Sequence, residues 1–248
     1  MIIDIHSHIL PNLDDGSKTP EDTRKLLSLL GKEGVEGVFA TPHYVTGVYE
    51  KSREEVEGVI RSLGLEGEVL PGQEIALDET TLEKVRQGVL SGLGESPCLL
   101  VELPFYDYRP EEVLGQVFEL QREGWQVIIA HPERYEYFQE DPLLLNDFIR
   151  GGCYFQVTGV SLEPDFGKPS HVLAWELVSL GCVDFIGSDA HGLHHRPPRV
   201  KPAWDVLEYR NPMAALAVRM NGAAVYAGEG LQEKSRELFG GRRRHFFK

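Results

Sequence analysis

Five of the nine histidines in this chain stand where an apolar run stops. Asp4-Ile5-His6-Ser7-His8 closes the run Met1–Ile5, and Thr41-Pro42-His43 follows Val38-Phe39-Ala40. His131-Pro132-Glu133-Arg134 follows Val127-Ile128-Ile129-Ala130, and Ser188-Asp189-Ala190-His191 follows Phe185-Ile186-Gly187. Carboxylates accompany them: Asp14 and Asp15 after His8, Glu74 and Glu102 at the ends of two more apolar runs, and Asp189 itself. Imidazole mixed with carboxylate suits zinc, manganese or iron better than magnesium or calcium, which prefer all-oxygen shells. About nine candidate ligands exceed what one ion uses, so two or three ions sharing carboxylates fit better. Such a centre clamps a phosphoryl group, turns bound water into hydroxide and stabilises a leaving oxygen. Arg134 and Arg196 stand near the cluster, with Arg199 next in line. A guanidinium fork binds phosphate oxygens and developing charge; a structural ion pair is the competing use of each. His171, His194, His195 and His245 lie outside the pattern.

For residues so distant in sequence to meet, strand ends must converge on one face, as they do in a parallel α/β barrel. Alternation along a strand then turns His6 with His8, and Asp189 with His191, to the same side. The chain repeats the unit this requires, an amphipathic stretch, a glycine and an apolar run. The repeats are Leu26–Leu30, Gly34 and Val35–Ala40; Val117–Leu120, Gly124 and Trp125–Ala130; Phe148-Ile149, Gly151 and Cys153–Val157; and Leu177–Leu180, Gly181 and Cys182–Ile186. Glycine after a last helical turn takes the left-handed cap conformation. Continuous apolar runs suit parallel strands covered on both faces. Thr19-Pro20-Glu21-Asp22, Pro110-Glu111-Glu112 and Asp141-Pro142 mark helix starts. Seven strands are expected, at Ile2–His6, Val35–Thr41, Val69–Ile75, Leu99–Leu103, Gln126–Ala130, Tyr154–Val157 and Val183–Gly187. Strand six ends in Gln156 and Thr158 and offers no evident ligand. The alternation predicts an α/β fold, a distorted seven-stranded (β/α) barrel in one domain over residues 1–248. Helical stretches around Ala203–Tyr209 and Pro212–Tyr226 should pack outside it or close it.

Bulk properties narrow the function further. The formal net charge of −14 disfavours nonspecific nucleic-acid binding, which relies on Lys and Arg neutralising phosphates. Apolar runs fall far short of the ~20 residues that span a bilayer, and no signal peptide is read at the N-terminus; the expected location is the cytoplasm. Three scattered cysteines, Cys98, Cys153 and Cys182, argue against a disulfide framework. The positions six residues beyond them are Pro104, Gly159 and Ser188, so a Cys-x5-Arg phosphate loop is absent and cysteine-based phosphatase chemistry is disfavoured. The basic tail Arg242–Lys248 is either a solvated terminus or a contact for an anionic surface.

His6-Ser7-His8, strand-end Glu74 and Glu102, His131 and Asp189-Ala190-His191 follow the motif order of the polymerase and histidinol phosphatase (PHP) superfamily, which the chain resembles over nearly its whole length. Within that superfamily, Ile3-Asp4-Ile5-His6-Ser7-His8-Ile9-Leu10-Pro11 with Asp14-Asp15-Gly16, and His131-Pro132-Glu133-Arg134-Tyr135, resemble the bacterial metal-dependent protein-tyrosine phosphatases of the CpsB/YwqE type. The resemblance implies a seven-stranded barrel holding three divalent ions, often manganese, with iron, zinc or magnesium as alternatives. His6, His8, Glu74 and Asp189 would hold the first ion. Glu74, Glu102 and His131 would hold the second, and Asp15, His43 and His191 the third, with Asp14 the neighbouring alternative to Asp15. Arg134 and Arg196 would grip the phosphate. The implied substrate is a phosphotyrosine protein, the tail of a bacterial tyrosine kinase controlling capsule or exopolysaccharide export.

The expected activity is therefore a metal-dependent phosphomonoesterase acting on phosphotyrosine, with activated hydroxide attacking phosphorus in line. A phenolate of pKa ~10 leaves more readily than an alkoxide. The nearest rival is a small-molecule phosphatase, for histidinol phosphate or a similar substrate, on the same barrel. Aromatics near the strand ends (Tyr44, Tyr49, Phe105, Tyr106 and Tyr108) would favour a protein substrate, unless they serve packing. A nuclease or proofreading domain runs against the acidic charge, and a non-catalytic binding module against the apparently complete ligand set.

Overall fold

A computed structural model describes residues 1–163, 167–233 and 236–240. The tail Arg242–Lys248 lies outside the described residues. Nine short strands are described: β1 (Ile3–Asp4), β2 (Gly37–Ala40), β3 (His43–Tyr44), β4 (Val69–Pro71), β5 (Glu74–Ala76), β6 (Cys98–Glu102), β7 (Gln126–Ala130), β8 (Tyr154–Thr158) and β9 (Phe185–Gly187). The helices are α1 (Pro20–Lys32), α2 (Arg53–Leu63), α3 (Thr81–Arg86), α4 (Pro110–Arg122), α5 (Glu136–Glu140), α6 (Leu145–Arg150), α7 (Lys168–Ser179), α8 (Lys201–Arg210) and α9 (Pro212–Tyr226). Pairing between these strands is parallel throughout, in a three-stranded sheet β1-β2-β4 and a six-stranded sheet β3-β5-β6-β7-β8-β9.

The seven unbroken strands expected from the sequence are not what forms. The expected strand Val35–Thr41 forms as Gly37–Ala40, and an unexpected β3 follows it past Pro42, which has no N–H to carry the ladder across. Val69–Ile75 breaks at Gly72-Gln73. There a Cβ on Gly72 would stand 2.7 Å from Leu93 Cδ2 and 3.0 Å from Thr41 Cγ2. Hydrogen bonds cross the breaks, Gly72 N to Ala40 O at 2.9 Å and Glu74 N to Pro42 O at 3.1 Å. The two sheets therefore continue one another as a curled parallel surface. Its ends approach: Ser7 bridges Ala190 in parallel, His8 N donates to Ala190 O (2.9 Å) and Asp189 N donates to His6 O (2.8 Å).

Local signals act as their chemistry requires. Thr19 Oγ1 accepts from Asp22 N at the start of α1, and Ser52 with Glu55 forms a reciprocal capping box on α2. Pro110 opens α4 without a side-chain cap. Asp141 caps the 3-10 turn Pro142–Leu144 that leads into α6. Gly34, Gly124 and Gly181 are left-handed as expected. After α6 that conformation falls on Gly152, because Gly151 (φ −72°) is still the helical cap residue.

Side-chain alternation makes two cores. Leu99, Val101, Val127, Ile129, Phe155, Val157 and Ile186 face the helices. Cys98, Leu100, Ile128, Ala130, Tyr154 and Phe185 fill the inside of the curl with Ile5 and Phe39. Continuing that inward register by two residues reaches Glu102 from Leu100, Gln156 from Tyr154, and Gly187 then Asp189 from Phe185. An apolar floor thus gives way to polar groups at the strand ends. Helix α9 covers the side next to β1 and β9, with Tyr226 edge-on to Phe39 at 5.9 Å. Among the described residues no helix is long and apolar enough to cross a membrane.

Candidate metal centre

All nine predicted ligands meet in one connected cluster. At its floor, His6 Nε2 lies 3.1 Å from His8 Nε2 and 3.1 Å from Glu74 Oε2. His8 Nε2 lies 3.2 Å from the same oxygen. Asp189 Oδ1 completes the group, 3.6 Å from His6 and 3.4 Å from His8. Ligand atoms about 2.0–2.1 Å from a shared ion stand about 3.0–3.4 Å apart, and all of these spacings but the 3.6 Å one fall in that range. The other ring nitrogens are taken: His6 Nδ1 is 2.8 Å from Gln156 Oε1 and His8 Nδ1 is 2.7 Å from Asp14 Oδ2. Those acceptors put the ring protons on Nδ1 and leave lone pairs on Nε2. Glu74 Oε2 and Asp189 Oδ1 are fully buried, with imidazole nitrogens close by but no hydrogen bond of good geometry. With both rings neutral, four lone-pair atoms would converge there, as a cation's ligands do.

Two further groups adjoin the first. Glu74 Oε1 is 2.8 Å from His131 Nε2, which is 3.5 Å from Glu102 Oε1. Asp15 Oδ1 lies 3.3 Å from His191 Nε2 and 3.7 Å from His43 Nε2. His43 also presents Nδ1 2.9 Å from Glu74 Oε2, so it links the outer group to the floor. Donor atoms of His8, Asp15, His43 and His191 fall within 4.8 Å of one another. So do those of His6, His8 and Glu74, and of His43, Glu74 and Glu102.

Charge is balanced within the cluster. Burial pushes Glu74 and Asp189 upward, but the imidazoles outweigh it, His6 foremost, and hold both well below the usual carboxylate range. Burial likewise opposes protonation of His6 and His8, yet Glu74 beside His6 and Asp14 beside His8 raise them. Glu102 is pushed up to about 8 by burial and the neighbouring Glu74. His131 falls to about 4, chiefly by burial, and His191 to about 3 by burial and the His8 charge. Without a cation, ring protons thus supply the positive charge the carboxylates need.

Asp14 and Asp15 differ in what their oxygens touch. Asp14 is enclosed, its Oδ2 accepting from His8 Nδ1 and His43 N (2.9 Å) and its Oδ1 from Gly16 N (2.8 Å). Asp15 is 53 % exposed with Oδ1 turned to His43 and His191. Arg134 Nη1 donates to Asp189 Oδ2 at 2.5 Å, and Arg196 Nη2 donates to the same oxygen. Arg196 Nη1 is also 3.0 Å from His191 Nε2. Both guanidiniums are about a third exposed. Arg199 pairs instead with Glu163. Of the aromatics, Tyr44 is core, Tyr108 stacks on Tyr137, and Phe105 and Tyr49 lie against His131 and His43.

Sequence reasoning overlooked three buried partners. Gln156 holds His6 and also accepts from His131 N (3.4 Å). Its inward register with Tyr154 could have revealed it. Asp4 accepts from Ser188 N (2.8 Å) and His6 N (3.3 Å), tying the first strand to the last. Glu133 accepts from Thr158 N (2.9 Å) and Ser161 Oγ (2.8 Å), and burial raises it to about 7. His131, Asp189 and Arg196 sit at φ 34°, 52° and 53°. Left-handed backbone at three non-glycine residues of one site is the strain that functional geometry sustains.

Comparison with known proteins gives the same direction. The family profile described as "Capsular polysaccharide synthesis, CpsB/CapC" matches residues 2–221. Tyrosine-protein phosphatase YwqE of Bacillus subtilis (strain 168) is 34 % identical over 214 residues, 84 % of each chain. Tyrosine-protein phosphatase CpsB of Streptococcus pneumoniae is 30 % identical over 220 residues, 83 % of this chain and 89 % of that one. A solved structure from work on YwqE of B. subtilis and CpsB of S. pneumoniae, described as "unique metal-dependent tyrosine phosphatases", superposes with a TM-score of 0.88. It is 30 % identical and covers 96 % of this chain and 99 % of that one.

Proposed function

The chain belongs to the CpsB/CapC family of capsular polysaccharide synthesis, and from that premise we propose that it is a metal-dependent phosphomonoesterase acting on phosphotyrosine in proteins. The observation that carries this reading is the convergence of His6, His8, Glu74 and Asp189 at the buried floor, with Arg134 and Arg196 poised on its rim. Three divalent ions fit the donor set. His6, His8, Glu74 and Asp189 hold one, Glu74, Glu102 and His131 a second, and Asp15, His43 and His191 a third. Manganese is the first choice, since imidazole and carboxylate in mixture suit such ions. When bound, the ions supply water of lowered pKa and neutralise phosphoryl charge.

The chain's own residues do the rest. Arg134 and Arg196, held at the rim by Asp189 Oδ2, offer their remaining N–H groups to the equatorial oxygens of the phosphoryl group. Asp14 and Gln156 hold the tautomers and ring planes of His8 and His6, so that Nε2 lone pairs face inward. The phenolate leaves from the open rim into water. The cellular substrate we assign is the tyrosine-bearing tail of a bacterial tyrosine kinase that controls capsule or exopolysaccharide export, met in the cytoplasm.

The test is phosphate release from a phosphotyrosine peptide, beside histidinol phosphate, with manganese and then with chelator. Rapid, chelator-sensitive release from the peptide is expected, and His6→Ala or Glu74→Ala should abolish it with the fold retained. Release from histidinol phosphate alone would overturn the substrate assignment, and full activity of either variant would overturn the mechanism.

A further inference from the structure

Phe105 is 40 % exposed, although it stands directly beside the buried cluster. Its ring lies against His131, centroids 5.9 Å apart at 26°, and against Tyr135 at 4.8 Å and 47°. The segment carrying it, between β6 and α4, is braced by Tyr135 and Tyr137. Tyr135 Oη accepts from Leu103 N at 2.7 Å, and Tyr137 Oη donates to Pro104 O at 3.1 Å. Beyond Phe105, Tyr108 stacks on Tyr137 at 4.0 Å and 3°. Asp107 takes a left-handed φ of 54° with its carboxylate on Arg109 (2.7 Å). A large apolar ring is thus held in place with much of its surface in water. Arg134, three residues along from His131, and Arg196 mark where a phosphate would sit. In an aryl phosphate the ring is one oxygen away from phosphorus, so it must lie close beside that position.

We infer that Phe105 is a specificity-determining residue, its exposed ring receiving the phenyl ring of a phosphotyrosyl group whose phosphate is gripped by Arg134 and Arg196. This rests on the phosphatase reading above and adds to it the feature that separates aryl from alkyl phosphates. Aromatic pairs gain beyond simple burial when offset or tilted, and a braced ring loses little freedom on contact. An alkyl phosphate presents no ring and gains nothing there.

The experiment is calorimetric binding of phenylphosphonate and methylphosphonate to the manganese-loaded full chain, as wild type, Phe105→Leu and Phe105→Tyr. Wild type should prefer phenylphosphonate by about 3- to 10-fold. Phe105→Leu should bring the ratio of the two Kd values close to one, and Phe105→Tyr should restore it. A wild-type ratio near one, or a preference unchanged in Phe105→Leu, overturns the inference. So does equal weakening of both ligands in Phe105→Leu, which would mean the ring only supports His131. If methylphosphonate binds and the phosphotyrosine peptide is hydrolysed, those failures leave the phosphatase reading standing. Failure of both ligands to bind, with no phosphate release, sinks that reading and this inference with it.

Discussion

Two adjacent aspartates of the same type do different work, and hydrogen bonding separates them. Asp14 spends its oxygens on His8, His43 N and Gly16 N, whereas Asp15 faces His43 and His191 from the solvent side. Asp14→Asn keeps the shape but can present an N–H to His8 Nδ1, which then loses its acceptor. Orienting partners of this kind typically hold about 10–100-fold in metal affinity or activity. Asp14→Asn should therefore weaken metal binding by about that factor, read by metal titration, and cost the chelated protein about 1–3 kcal/mol, since one amide N–H must face a donor. Equal metal affinity in variant and parent would show that Asp14 does not orient His8.

At the level of elements, the layered interior decides which strand ends can carry chemistry. The polar layer fits because β9 contributes Gly187 to it. A Cβ there would stand 2.7 Å from His6 Cβ, 2.9 Å from Gln156 Nε2 and 3.2 Å from Gln156 Cδ. Gly187→Ala must displace the first ligand and its partner together. Overpacking of this kind costs about 1–3 kcal/mol, so thermal stability should fall by that amount and turnover should fall with it. A variant as active and as stable as the parent would mean β1 has slack that the structure does not show. Half of this architecture was legible beforehand. Glycine-punctuated apolar runs located the strands, and the end of one such run located Glu102. The breaks at Pro42 and Gly72-Gln73 were not, because a run reads as continuous until a neighbouring strand shows which hydrogen bonds are missing.

For the molecule as a whole, stability and chemistry occupy opposite ends. The ligands crowd the C-terminal ends of the strands, while the last described segment runs beneath the floor. Arg236 donates to both oxygens of buried Asp184 (3.0 and 3.2 Å) and lies over the rings of Tyr154 and Phe155. Gln126 bonds both backbone groups of Leu231, and Asn146 those of Phe239. Losing a hydrogen-bonded charge pair costs about 1.5–3 kcal/mol where other partners remain. Phe155 N still donates to Asp184, which places Arg236→Ala near the lower figure. Denaturant unfolding should show that loss, while kcat of the folded fraction stays close to the parent. A large fall in kcat without a stability change would mean the segment reaches the centre.

The sequence by itself determined the chemistry. Five strand-end histidines, their carboxylates and two arginines are a matter of residue type and position, and parallel strands bring such positions to one face by construction. Its motifs pointed to the family that comparison then bore out. What only the tertiary structure decided is how donors divide. Whether Asp14 or Asp15 turns inward, that Gln156 backs His6, that Asp189 anchors both arginines, and that Phe105 remains exposed beside His131 all depend on contacts between distant strands. No local pattern encodes these, because each is set by which neighbour has already claimed a proton or filled a space.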